Sequence, residues 1–179
     1  MPDIGRGPVL IAIAREAIGR EGPNGVTQWP HDWLRVPGAS FVTLRLDGEL
    51  RGCIGSVDAR RVLGDDVDAN ARAAAYRDPR FPPVTAGERL RLDIEVSVLS
   101  PRAPVPAASE SDAVALLRPG IDGVCFEFHD LSATFLPQVW DGIPDPIEFL
   151  GELRRKAGLP PRFWHADVRL SRYTVEKYA

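Results

Sequence analysis

The sequence predicts an α+β fold. It reads as two related β-rich repeats with flanking helices, sharing one mixed sheet with a cleft between the halves. Three observations carry this. Leu90–Leu99 alternates strictly, with Leu90, Leu92, Ile94, Val96 and Val98 on one side and Arg91, Asp93, Glu95 and Ser97 on the other. The predicted elements run α-ββ-α-β and then repeat that order. The halves also share landmarks: Gly38-Ala-Ser-Phe41 matches Gly123-Val-Cys-Phe126, and Pro79-Arg80-Phe81 matches Pro161-Arg162-Phe163. The Gly-to-Arg separations are 42 and 39 residues, which places the repeats at about 38–100 and 120–178 of a single 1–179 domain.

In order along the chain, Val9, Leu10, Ile13, Ala14, Ala17 and Ile18 mark one helical face. Pro8 suits its first turn, and Gly19 or Gly22 can end it. Residues 22–38 are rich in Gly and Pro and read as a loop, which Trp29 and Trp33 fasten to the body. Ser40–Leu46 and Leu50–Val57 form a hairpin around Asp47-Gly48, a strong two-residue turn. Val67–Tyr76 is alanine-rich and helical, with Asp65 or Asp66 as N-cap. Asp78-Pro79 stops it, because a residue before proline avoids the helical region.

After the 90–99 strand, residues 100–108 are a proline-rich connector. Ser111–Arg118 is a short helix. Val124–His129 and Ala133–Val139 are strands. Asp145-Pro146-Ile147-Glu148 opens a helix, with Asp as cap and Pro at the first position. Gly158 and Pro160 close it. Ala166–Tyr178 is the final strand.

Composition excludes several classes. Of the 179 residues, 44% are hydrophobic and 26% charged, as in a globular protein rather than a disordered or fibrous one. A net charge of −3 gives no electrostatic case for nucleic acid or a membrane surface. All the basic residues except Lys156 and Lys177 are arginines, a bias that a GC-rich coding sequence explains. Cys53 and Cys125 are too few for a disulfide framework, and the histidines are too scattered for a sequence-local zinc site. No stretch approaches 18 consecutive apolar residues, and no secretory leader is visible. The expectation is a cytoplasmic protein with reduced thiols.

Chemistry concentrates in Leu50-Arg-Gly-Cys-Ile-Gly-Ser56. Arg51, Cys53 and Gly55 share one strand face; Gly52, Ile54 and Ser56 share the other. Glycines inside a strand mark a bulge, a packed neighbour or the close approach of a ligand. Cys53 is the candidate nucleophile or redox thiol. Arg51, about 7 Å along the strand, is the candidate binder of an anionic group. Glu95 on the polar face of the 90–99 strand is the candidate base, with Asp93 beside it. Asn70, Asp78 and Arg80 flank the end of the first-repeat helix, where Arg80 offers a fork for a carboxylate or phosphate. Cys125, between Val124 and Phe126, reads as core. No phosphate loop, dinucleotide fingerprint, nucleophile elbow or zinc-protease helix is present.

The ordered set of motifs resembles the AMMECR-one domain family, of which the stand-alone prokaryotic type is called AmmeMemoRadiSam system protein A. The matching pieces are Phe41-Val-Thr-Leu44, Leu50-Arg-Gly-Cys-Ile-Gly-Ser56, Ala74-Ala-Tyr-Arg-Asp-Pro-Arg-Phe81 and Ile94-Glu-Val-Ser-Val-Leu99. In the second half they are Gly120-Ile-Asp-Gly123, Phe135-Leu-Pro-Gln-Val139, Glu148-Phe-Leu150 and Lys156-Ala-Gly-Leu159. The chain departs from the family pattern over 140–146, where Trp140 directly follows Val139.

The resemblance implies a barrel-like sheet and a cleft bordered by Arg51, Gly52, Cys53 and Gly55. Gly52 and Gly55, with Asn70, Asp78, Arg80 and Gln138, are the candidate substrate-binding residues, and Cys53, Glu95 and Arg51 the candidate catalytic ones. It further implies partnership with a Memo-like protein and a radical S-adenosylmethionine enzyme. Two functions follow: an enzyme component acting on a small molecule, or a non-catalytic accessory protein docking on those partners. Neither needs a cofactor or a metal held by this chain.

Overall fold

In chain order the elements are α1 (Arg6–Gly19), β1 (Pro37–Leu46), β2 (Glu49–Gly55), β3 (Arg61–Val62), α2 (Leu63–Tyr76), α3 (Ala86–Arg89) and β4 (Leu92–Leu99). There follow β5 (Ala103–Val105), α4 (Glu110–Leu116), β6 (Gly123–Phe128), β7 (Leu131–Phe135), α5 (Pro146–Lys156), β8 (Arg169–Tyr173) and β9 (Val175–Tyr178). The structure is a computed structural model that describes residues 5–20 and 28–179. Gly22 and the first part of the expected loop, residues 22–27, lie outside the described residues, whereas Trp29 and Trp33 lie within them. The chain forms two units, one of residues up to Leu99 with 176–179, the other Ser100–Val175.

In the first unit, β2-β1-β4-β9 make a sheet, and β3 pairs the start of β1. Asp47 and Gly48 both take positive φ (52° and 86°), as a two-residue hairpin turn requires. Val42 and Leu44 on β1 and Leu92, Ile94 and Val96 on β4 form the core face. Leu10 and Ala14 of α1 and Val67, Ala71 and Ala74 of α2 cover it. Trp29 is buried over Gly64, where a methyl group would collide with the indole.

Gly52 sets the spacing of this layer. A methyl group there would lie 2.2 Å from the Ala74 carbonyl oxygen, so only glycine lets the α2 backbone rest on β2.

In the second unit the sheet order is β5-β8-β6-β7. Val124, Phe126 and Leu170 pack with Phe149, Leu150 and Leu153 of α5. Trp140 stacks on Phe149 with centroids 3.6 Å apart. Asp145 caps α5 as expected, accepting from the Ile147 and Glu148 amides. Both units use one plan. A hairpin is followed by a helix and then by a strand beside the hairpin's first strand, giving β2-β1-β4 and β7-β6-β8.

Several expectations are corrected. Among the described residues the sheet is neither single nor mixed nor closed into a barrel: they form two sheets, and every pairing of described register is antiparallel. The expected strand Ala166–Tyr178 is interrupted at Thr174, whose carbonyl and amide bond Ser100; β8 enters one sheet and β9 the other. The strand expected from Leu90 starts at Leu92, because Thr85 and Glu88 form a capping box for α3 and leave Leu90 exposed.

Ala133–Val139 stops as a strand at Phe135; Pro137 has no amide to donate and opens a 3-10 turn, Pro137–Asp141. The helix expected from Val67 begins at Leu63, so Asp65 and Asp66 lie in its first turn rather than at its cap. The helix expected at Ser111–Arg118 is α4, capped by Ser109, and the 100–108 connector contains β5.

Gly52→Ala is expected to lower stability by about 1–3 kcal/mol through overpacking. Gly87→Ala, with nothing within 4 Å of the added methyl, is expected to leave it unchanged or slightly raised. Urea unfolding midpoints of both variants against the parent check this pair. Equal losses would place the cost in the backbone and not in the Ala74 contact.

Candidate functional site

β2 is an edge strand, so its outward amides and carbonyls have no strand partner. The β1–β2 register contains one irregularity: Arg45 pairs Leu50, but Leu44 pairs Gly52, leaving Arg51 as an extra residue. A one-residue shift moves every following side chain to the other face. Unshifted pairing from the turn would oppose Cys53 to buried Val42. The bulge opposes it to Thr43 instead, on the face away from α1 and α2.

Cys53 is only partly buried, and its Sγ lies 3.4 Å from Thr43 Oγ1. Thr43 in turn pairs Glu95 on β4. Cys53, Thr43 and Glu95 therefore form one row across three strands, with Lys177 Nζ 4.0 Å from Glu95 Oε1.

The outward peptide groups of Cys53 are held by a clamp. Asp78 Oδ2 accepts the Cys53 amide at 2.9 Å. Arg80 Nη2 donates to the Cys53 carbonyl at 3.2 Å. Arg80 also closes on Asp78 through Nε at 3.0 Å and Nη2 at 2.7 Å. The Asp78 side chain is almost fully buried. Hydrogen bonds from the Arg80 guanidinium, then from the Cys53 and Arg80 amides, hold its carboxyl well below the usual carboxylate range against the opposing effect of burial. Bonding to Asp78 raises Arg80 reciprocally.

Arg51 is equally committed. It pairs with Glu88 at 2.9 Å and donates to the Pro82 and Pro83 carbonyls at 2.9 and 3.4 Å. The Glu88 carboxyl is lowered to about 2, first by Arg51 and then by the Thr85 amide and hydroxyl.

The structure thus brings Cys53 and Glu95 into one row, and Asp78 and Arg80 onto the Cys53 backbone. It does not bring Gly52 or Asn70 to that face. Gly52 meets α2 on the core side. Asn70 is buried in a network in which its amide donates to the Ser40 carbonyl and Asp66, both at 2.9 Å. Asp66 also accepts from the Ser40 amide, the Ser40 and Ser56 hydroxyls, and Arg61. Gly55 lies under the Phe41 ring, which a methyl group there would strike. Gln138 is exposed in the 3-10 turn of the second unit. Cys125 is buried as expected, its thiol donating to Thr134 Oγ1 at 3.2 Å. Among the described residues, no three His, Cys, Asp or Glu side chains are grouped to hold a metal ion.

Thr43 and Glu88 were not singled out in the sequence. Glu88 was findable from the Thr85-x-x-Glu88 capping spacing. Thr43 was not, because its position opposite Cys53 depends on the bulge.

A family model described as AMMECR1 matches residues 11–178. The chain belongs to the AMMECR1 family. A protein of Methanothermobacter thermautotrophicus is 38% identical over 181 residues, covering 95% of this chain and 92% of that one. Protein MJ0810 of Methanocaldococcus jannaschii is 36% identical, covering 76% and 70%. The crystal structure of uncharacterized protein PH0010 from Pyrococcus horikoshii superposes with a TM-score of 0.77 at 34% identity, covering 96% of this chain and 89% of that one. The residues matched by the AMMECR1 model run through both units. Among the described residues, no helix is long and apolar enough to cross a membrane.

The clamp predicts a pH dependence. A carboxylate with a depressed native pKa contributes its full stability above its unfolded value, near 4, and loses it as pH falls toward the native value. Asp78→Asn is expected to cost about 1–3 kcal/mol at pH 7 and to flatten the fall in stability between pH 5 and 3. Urea melts across that range check this; parallel curves for parent and variant would refute a charged clamp.

Proposed function

We propose that the outward face of the first unit, centred on Cys53, is the working surface of a cytoplasmic enzyme or enzyme component acting on a small molecule. The observation that carries this is the Cys53–Thr43–Glu95 row. A thiol needs a proton acceptor to become a nucleophile. The Thr43 hydroxyl contacts the sulfur, and Glu95 stands opposite Thr43 as base. The clamp fixes the Cys53 backbone, so the sulfur is positioned by the fold rather than by a ligand. Arg51 and Arg80 support that positioning through their pairs with Glu88 and Asp78.

By the family resemblance, the partners are a Memo-like protein and a radical S-adenosylmethionine enzyme, with a cleft at the Arg-Gly-Cys-Ile-Gly strand. The shared strand order and the Gly-x-x-Phe and Pro-Arg-Phe landmarks support descent of the two units from a duplication. The commitment of both arginines to internal carboxylates favours the second reading, a non-catalytic accessory protein docking on those partners. In that case Cys53→Ala retains full function.

Iodoacetamide labelling at pH 7.5, read by mass spectrometry, tests the proposal. Cys53 is expected to label in the native protein and buried Cys125 only after denaturation. Thr43→Val and Glu95→Gln are expected to slow Cys53 labelling several-fold with unchanged circular dichroism. A Cys53 that reacts only when unfolded removes the basis of the enzyme reading.

A further inference from the structure

The second unit holds a hollow of about 490 Å³ lined by Glu127, His129, Ala166, Asp167 and Arg169. Its volume falls in the ordinary range for small-molecule sites, roughly 300–1,000 Å³. Glu127 on β6 and Arg169 on β8 are direct cross-strand partners. Opposite charges in that position normally pair, and this protein's salt bridges otherwise close readily, as at Arg51–Glu88 and Arg80–Asp78. Glu127 and Arg169 form no ion pair with each other and no side-chain hydrogen bond with any described residue. Both line the hollow instead.

The rim is held by packing. His129 sits at a positive φ of 51° at the β6–β7 turn. The His165–Val168 turn is closed by the Val168 amide on the His165 carbonyl at 3.1 Å. The Phe128 ring lies edge-on to His129, Phe163 and His165, with centroids 4.2, 4.8 and 5.4 Å away. Asp167 Oδ2 is 3.6 Å from His129 Nε2 and 3.5 Å from His165 Nδ1. Both distances exceed a good hydrogen bond, so this carboxylate also keeps accepting capacity.

From this arrangement we infer that the hollow is a binding site for a small zwitterion of the α-amino-acid type. Arg169 takes the carboxylate by its planar fork. Glu127 and Asp167 take the ammonium, and His129 walls the side. Two carboxylates against one guanidinium disfavour a phosphorylated or dicarboxylate ligand, whose second negative charge meets no second cation. They equally disfavour a simple carboxylic acid, which leaves both acidic groups unmatched. The site is independent of Cys53.

The test is ¹⁵N–¹H NMR titration of the full chain with the α-amino acids singly, and with matched amines and matched carboxylic acids lacking one of the two groups. Saturable shifts confined to residues 123–131 and 163–171 are expected for one or more amino acids, with at least tenfold weaker binding of both truncated analogues. Arg169→Gln is expected to reduce the amino acid to the affinity of its amine, and Glu127→Gln to weaken it about tenfold. Cys53→Ala is expected to leave it unchanged. Glu127 and Arg169 are exposed, so their variants should retain the parent spectrum outside the hollow. Absence of saturable shifts at 10 mM ligand, or binding indifferent to Arg169→Gln and Glu127→Gln, would overturn the inference.

Discussion

The close approach of α2 to β2 at Gly52 is the constraint on which the first unit depends. It brings the Ala74 carbonyl against the strand backbone with no side chain between. α2 ends at Tyr76, so Asp78 and Arg80 emerge two and four residues later, beside the strand that the helix has just crossed. The clamp on Cys53 thus follows from helix placement. Any side chain at 52 lifts the helix and carries the two clamp residues with it. The same placement brings Asp66 and Asn70 over Ser40 and Ser56, where a buried carboxylate finds a full complement of donors. One glycine therefore organises two polar assemblies on opposite sides of a strand.

Arginine is this chain's main cation, yet its arginines divide into two kinds. Arg51, Arg80, Arg118 and Arg154 close on Glu88, Asp78, Asp122 and Glu110. Those pairs hold loops and helix ends in place. Arg169 lies across from a carboxylate and does not close on it. The contrast is between an arginine that closes on a carboxylate beside Cys53 and one that stays open to solvent and to the ligand we propose for the hollow. Position in the sequence motif drew attention to the former, and geometry to the latter.

Strict alternation made β4 legible, and Asp47-Gly48 made the first hairpin legible, because both signals are local and periodic. The Asp145 cap was legible for the same reason. The split of the last strand at Thr174 was not. It depends on a bond to Ser100, more than seventy residues away, and no local composition change marks it. Gly52 and Gly55 carried a real signal whose meaning stayed open, since helix packing, a covering aromatic ring and ligand approach all demand a missing side chain. The structure assigns the first cause to Gly52 and the second to Gly55. The pairing of Cys53 with Thr43 needs a bulge at Arg51, and a bulge is set by what both strands pack against. Cys53, Asp78 and Arg80 were thus recognisable as a group, but their connection through a backbone amide and carbonyl was not.

The clamp has a bearing beyond the thiol it steadies. An edge strand with free peptide groups is a template on which a second copy can lay its own strand. Along β2 the Cys53 amide and carbonyl, the groups such a strand must use, are already occupied by a buried carboxylate and a guanidinium of the same chain. Arg51 ties the proline-containing stretch 82–83 beside them, and proline offers no donor for strand addition. The contacts that present a partly exposed cysteine at a sheet edge also deny that edge to aggregation.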